Sequence, residues 1–228
     1  MVNKDLIPSN FEIIEQIGTR DCNSLLLHVR IHKKEYVIVA VYGPNHDNEV
    51  EFYSQLKRML QKYNCPLILG GDWNATLDTS PVNRNIDVLN MRSVPSIRRS
   101  TEINSMCDEF NLADPFRIAS PFKREFTYVP SNVNEINRSR IDFFLISHRL
   151  FNVNTRCNIP HCLSSTLFDH KNVTLHLSGK KSFNKELIKD SILRNQDLSH
   201  HVKRSVFECY LHHCVPGRNR CEGEAGVR

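Results

Sequence analysis

The rhythm of hydrophobic and polar positions changes several times along this chain, and each change marks an element. SLLLHVRI (Ser24 to Ile31) alternates in its second half, and EYVIVAVYGPN (Glu35 to Asn45) is a β-branched run halted by Gly-Pro. These predict two neighbouring strands, the second buried on both faces. From Asp47 to Tyr63 the spacing lengthens: Val50, Tyr53, Leu56, Leu60 and Tyr63 recur at helical intervals, and Asn48 and Glu51 stand in capping-box register. An amphipathic helix is predicted there. PLILGGD, starting at Pro66, follows as a strand, so the order strand, helix, strand marks an α/β unit. Ile103, Met106, Cys107 and Phe110 predict a second helix over Ser100 to Leu112. Further strands are expected at Glu125 to Val129, Arg140 to Ser147 and Asn172 to Leu177. The fold class is therefore α/β with a largely buried sheet. From Gly179 the text turns polar and basic, which divides the chain into a folded region, 1–178, and a weakly helical or disordered tail, 179–228.

Composition narrows the picture. With 228 residues, 40% of them hydrophobic, the chain reads as a soluble globular domain with an appendage. The longest uninterrupted apolar run, Tyr36 to Tyr42, has seven residues. A membrane helix needs about 20. The first residues, MVNKDLIPSNFEII, have neither a basic start nor a continuous apolar core, so no secretory signal is read there and an intracellular place, nuclear or cytoplasmic, is expected. The 8 cysteines form no Cys-x-x-Cys pair, which favours reduced thiols. The sequons at Asn74, Asn137 and Asn172 then carry no glycan. A zinc site from Cys209, His212, His213, Cys214 and Cys221 is disfavoured, because that spacing matches no common finger.

Net charge is +5, but residues 1–178 hold 20 Lys/Arg against 19 Asp/Glu, so most of the excess lies in the tail. One local run is basic, with Arg84, Arg92, Arg98 and Arg99 against the single acid Asp87. Such runs are solvated loops more often than phosphate contacts.

Four small motifs could carry chemistry. Asp72 and Asn74 follow a buried strand at its carboxyl end, where open α/β sheets bind ligands; a turn whose side chains bond local amides is the plainer reading. In NRSRIDFFLIS, Asp142 sits inside an otherwise apolar strand, where an unpaired carboxylate would cost several kcal/mol. It requires a cationic or hydrogen-bonded partner, and a histidine is the natural one. Asp169 and His170 stand side by side before the last strand, an adjacency that chance also produces. Tyr42 ends the second strand, where packing is the commoner role.

Taken in order, Tyr-x-Pro-Asn, Gly-Asp-x-Asn, Thr, Ser-Arg-Ile-Asp and Asp-His resemble the endonuclease/exonuclease/phosphatase superfamily. NLADPFRIASPFKREFTYVPSN followed by SRIDFFLIS is similar to the endonuclease domain of LINE-type retrotransposons. The resemblance covers Met1 to Leu177. It implies a four-layer α/β/β/α sandwich of the deoxyribonuclease-like type and metal-dependent hydrolysis of a DNA phosphodiester by a monomer. By the same resemblance Asp72 positions or deprotonates the attacking water, and Asn74 steadies the phosphate oxygens. His170 bonds the scissile phosphate and is oriented by Asp142. Asp169 contributes to a Mg²⁺ (or Mn²⁺) site, and Tyr42, Thr127 and Arg140 lie at the substrate. In-line attack by water, with positioned donors stabilising charge on the phosphoryl oxygens, is the chemistry implied.

Members of that superfamily begin with a strand bearing an asparagine, then an element bearing a glutamate that is the principal metal ligand. The match here starts after those elements, at MVNKDLIPSNFEII, and Glu12 and Glu15 fall in what should be a connection. Phe168 stands where serine is common. The expectation is a sheet missing its first strands, exposing an edge, and a chain of weak metal binding and weak or absent activity. A phosphatase of the same superfamily and a catalytically inactive nucleic-acid-binding module are the alternatives.

Overall fold

The computed structural model describes residues 11–19, 23–46, 51–81, 84–90, 96–130, 137–152, 154–160 and 168–177. Strands β1 (Phe11–Gly18), β2 (Ser24–Ile31) and β3 (Lys34–Tyr42) come first, then helix α1 (Glu51–Leu60) and strand β4 (Leu67–Asp72). They are followed by β5 (Val88–Leu89), α2 (Ile97–Phe110), β6 (Leu112–Ala113), α3 (Pro115–Ala119) and β7 (Arg138–Ser139). Strands β8 (Asp142–Ser147), β9 (Arg156–Asn158) and β10 (Thr174–His176) complete the described part. Asn48, Val50, Arg92, the cysteine-histidine group and the whole tail lie outside the described residues.

The central sheet has six strands in the order β1-β2-β3-β4-β8-β6. Within it β3 and β4 run parallel, joined through α1, and the other pairs are antiparallel. The β-branched run of β3 explains its place: Val37, Val39 and Val41 point to one face and are buried there. That face packs against Phe52, Tyr53, Leu56 and Leu60 of α1 and against Ile103 and Met106 of α2. The opposite face carries Phe144 and Ile146 of β8 against Phe116 of α3, Cys157 of β9 and Leu175 of β10. This gives a layered α/β sandwich in which β9 and β10 pair as a second sheet, and β5 and β7 pair as a third. No helix of the described residues is long and apolar enough to cross a membrane.

Three sequence expectations change. Residues 11–18 form an edge strand rather than a connection, paired with β2 through a register shift between Ile13 and Glu15. Ile13 and Ile14 lie exposed on that edge. Residues 125–129 form no strand; Tyr128 alone makes bridges, to Ser139 on one side and His170 on the other. The second helix starts three residues earlier than its apolar spacing implies, because Ser96 caps it by accepting the Arg99 N–H, and it ends where Asn111 turns left-handed, φ 51°.

Candidate functional site

Three adjacent strands end in one row. Tyr42, the last residue of β3, is paired with Asp72, the last of β4, and Asp72 is paired with Asp142, the first of β8. Directly paired residues project to the same side of a sheet, so two carboxylates face each other. Like charges so placed repel, and the arrangement calls for positive charge. His170 brings a ring N–H to one of them from another part of the chain: its Nδ1 lies 2.8 Å from Asp142 Oδ2. A ring nitrogen bonds a carboxylate only by donating, so Nδ1 carries the proton and Nε2 is turned to the other side of the ring. The approach of His170 is fixed by its flanks. Val129 N–H donates to Asp169 O at 2.7 Å, Lys171 N–H to Thr127 O at 2.7 Å, and the imidazole rests against the Tyr128 ring at 5.2 Å between centroids. One donor atom each from Asp72, Asp142 and His170 lies within 4.8 Å of the others, a group that could hold a metal ion.

The Gly-Asp-x-Asn turn is both a local turn and a mount for the carboxylate. Asn74 takes the left-handed conformation, φ 48°, and its N–H donates to Asp72 Oδ1 at 3.0 Å. Its Nδ2 donates to Gly43 O at 2.8 Å, while Gly43 N–H donates to Asp72 O at 2.6 Å. Trp73 faces the core, donating from Nε1 to Phe143 O at 3.1 Å and stacking on the Phe143 ring. A Cβ on Gly43 would overlap the Trp73 carbonyl, and one on Gly71, whose φ is +150°, would overlap the Val41 carbonyl. Close approach of β3, β4 and their loops therefore requires glycine at both places. One further residue locks the loops: Arg99 Nη1 donates to Pro44 O at 2.8 Å and to Asn74 O at 2.6 Å.

Of the residues singled out in the sequence, Asp72, Asp142 and His170 converge, Asn74 borders them, and Tyr42 stands half-buried beside Asp72 in the same row. Asp169 lies outside the group of three. Two of the expected substrate residues have buried side chains with internal partners. Thr127 is fully buried, and its hydroxyl accepts the Ile141 and Asp142 N–H groups at 3.1 and 3.0 Å, so it orients Asp142 from behind. The Arg140 side chain is 1% exposed, with its guanidinium between Asp87 and Asp114, and it presents nothing to a substrate. Glu12 and Glu15 are held away from the cluster by Arg30 and Tyr63. Sequence reasoning missed Asp87, Asp114 and the bridging role of Arg99. Asp-Pro-Phe-Arg was the available signal for Asp114, which caps α3 by accepting the Phe116 and Arg117 N–H groups.

The layered sandwich shares its fold with solved AP endonucleases and a 3' phosphatase. An AP endonuclease from Archaeoglobus fulgidus superposes with a TM-score of 0.57 at 14% identity, over 74% of this chain and 72% of that one. The 3' phosphatase NExo from Neisseria, bound to product DNA hairpin, gives 0.56 at 14% identity, over 76% and 72%. AP endonuclease LMAP from Leishmania major gives 0.57 at 14% identity, over 73% and 57%. In sequence the chain is similar to the Transposon TX1 uncharacterized 149 kDa protein of Xenopus laevis, 29% identical over 180 residues. That match takes in 72% of this chain and 13% of the Xenopus protein, so the chain spans a small part of that relative's length. No family model matches the chain.

Proposed function

We propose that the chain hydrolyses phosphodiester bonds in DNA as a Mg²⁺- or Mn²⁺-assisted endonuclease of the kind carried by LINE-type retrotransposons, acting as a monomer. The observation that carries this reading is the convergence of Asp72, Asp142 and His170 from three separated stretches onto one edge of the sheet. The transposon relative and the DNA-bound phosphatase of the same fold support DNA as the substrate.

Asp72, fixed through Oδ1 by the Asn74 N–H, orients the attacking water and accepts its proton. His170, held at Nδ1 by Asp142, donates from Nε2 to a phosphoryl oxygen, where charge grows in the transition state. Asn74 has a second amide hydrogen beyond the one given to Gly43 O, and it is directed to the same phosphate. Tyr42 lines the row beside Asp72. The donor set fits a hard divalent cation: Asp72 and Asp142 offer the oxygen ligands that Mg²⁺ prefers, and opposed carboxylates need the charge. When bound, that ion supplies Lewis-acid polarisation of the phosphate.

The test is nicking of supercoiled plasmid in Mg²⁺. Weak nicking by the wild-type chain, lost in Asp72→Ala and in His170→Ala, is the expected result. No nicking, or nicking indifferent to both substitutions, overturns the reading. A 3'-phosphorylated oligonucleotide in the same assay separates phosphodiesterase from phosphatase action, and binding without cleavage identifies a binding module.

A further inference from the structure

We infer that Phe122 is a stacking contact for nucleic acid, its ring seated on an accessible base step of the DNA whose backbone enters the Asp72, Asp142 and His170 cluster. The inference rests on the nuclease reading and extends it to a residue outside the cluster. Phe122 is 87% exposed, more than any other large hydrophobic residue among the described residues. Single exposed apolar residues are common. The support beneath this one is not. Lys123 N–H donates to Ser120 O at 3.3 Å, closing a turn whose two central residues are Pro121 and Phe122. Arg117 Nη1 then binds both ends of that turn, Ser120 O at 3.1 Å and Lys123 O at 2.8 Å. Arg117 is itself anchored, through Nη2 to the buried Asp87 and through its backbone N–H to Asp114.

A half-buried guanidinium thus braces a turn whose tip is a bare aromatic ring, which lowers the ordering cost of a contact made there. The charge around the ring suits a polyanion: Lys123 and Arg124 follow it directly and are exposed, Lys123 3.5 Å from Glu125 and Arg124 donating from one nitrogen, Nη2, to Asn85 O and Val88 O. The turn also borders the cluster. Glu125 pairs with Lys171, the residue after His170, and Phe122 is five residues from Thr127, whose hydroxyl holds the Asp142 N–H, so the two Cα atoms of Phe122 and Thr127 are at most about 17 Å apart. That is about half a turn of duplex, whose full turn is about 34 Å. Aromatic rings stack on every base face, so the contact is sequence-tolerant.

The experiment titrates the full chain with a short duplex carrying an internal nick or gap, in EDTA, at several salt concentrations. Phe122→Ala should weaken binding roughly 5- to 150-fold, the range of one lost base stack, and leave the salt slope unchanged, because no phosphate contact is removed. Lys123→Ala should instead flatten the slope. Phe122→Trp should retain affinity, and the introduced indole should be quenched by DNA, with the buried Trp73 of the wild type as background. Wild-type affinity in Phe122→Ala, or an indole indifferent to saturating DNA, overturns this inference while the nuclease reading stands. Absence of DNA binding by the wild type overturns both.

Discussion

Asp72 and Asp142 face each other as a directly opposed pair, the last residue of β4 against the first residue of β8. Side by side in the sheet, the two carboxylates repel, and His170 on Asp142 offsets part of that repulsion. Such a pair carries a cost in stability unless other groups offset it.

Replacing Asp72 by Asn tests that cost. Asn keeps the oxygen that accepts the Asn74 N–H but removes one of the two facing charges. In metal-free buffer Tm should rise by about 2–4 °C, while nicking falls by at least about 10²-fold. Scanning calorimetry in EDTA beside the plasmid assay checks both, and an unchanged Tm would show that the opposed charges are already neutralised.

The glycines at the row's end give a second prediction. Gly43→Ala and Gly71→Ala each push a methyl into a neighbouring carbonyl, and Gly71 adds a backbone conformation that L-residues rarely adopt. Each should destabilise by about 3–5 kcal/mol. Gly18, with nothing within 4 Å of its Cβ position, is the control and should tolerate Ala within about 0.5 kcal/mol. Urea denaturation of the three variants measures the contrast.

Much of this architecture was legible in the sequence. The period of β2, β3 and α1 and the run into Gly-Gly-Asp announced the core, and a carboxylate leading into FFLI demanded the partner that His170 proves to be. What stayed hidden depends on contacts between segments distant in sequence. β1 has no clean alternation because it is a half-exposed edge, held by pairing with β2 rather than by burial. EFTYV has strand-forming residues, yet the Thr127 and Tyr128 N–H groups both go to Ser139 O, and no ladder extends. The run around Asp87 looked like a solvated basic loop. Instead Asp87 is buried beneath two arginines, and Arg99 is spent on loop carbonyls.

The thiols give a pH prediction. Burial holds the Cys107 and Cys157 thiols neutral, each pushed up to about 12 from an ordinary 9.0. Both should resist iodoacetamide at pH 8 in the native protein, as mass spectrometry of the alkylated peptides would show. Because the folded thiols keep protons that the unfolded ones release, stability should be unaffected below pH 9 and decline between pH 9 and 12. Rapid native-state labelling of either residue would contradict the burial.

Arg99 ties the loop after β3 to the loop after β4 through one nitrogen. Arg99→Met should release both carbonyls, letting Asp72 and Asn74 drift, and lower kcat on the order of 10²-fold with little change in KM. Arg99→Lys, whose ammonium can still donate to two carbonyls, should recover part of the loss. The sole tryptophan, Trp73, lies between Asp72 and Asn74 and reports on the same loop. Its emission should shift in Arg99→Met and not in Arg99→Lys, which separates loop displacement from general destabilisation.

Arg140 offers the sharpest contrast between motif and structure. Its Nε and Nη2 donate to the Asp87 carboxylate at 2.7 and 3.1 Å, its Nη1 lies 2.7 Å from Asp114, and its backbone N–H donates to Asp87 O at 2.8 Å. Burial alone would lower the basicity of the guanidinium, but Asp114 and Asp87 outweigh it and raise the pKa. Arg140→Ala therefore leaves two buried carboxylates to Arg117 and should cost about 3–5 kcal/mol. Arg140→Lys should fall between, since one ammonium cannot reproduce the fork that spans both acids. Were Arg140 a phosphate contact, its loss would flatten the salt dependence of DNA binding by about one unit of slope and spare the fold. Burial requires the reverse: a large drop in Tm, and, in the protein that remains folded at low temperature, a salt slope equal to the wild type's.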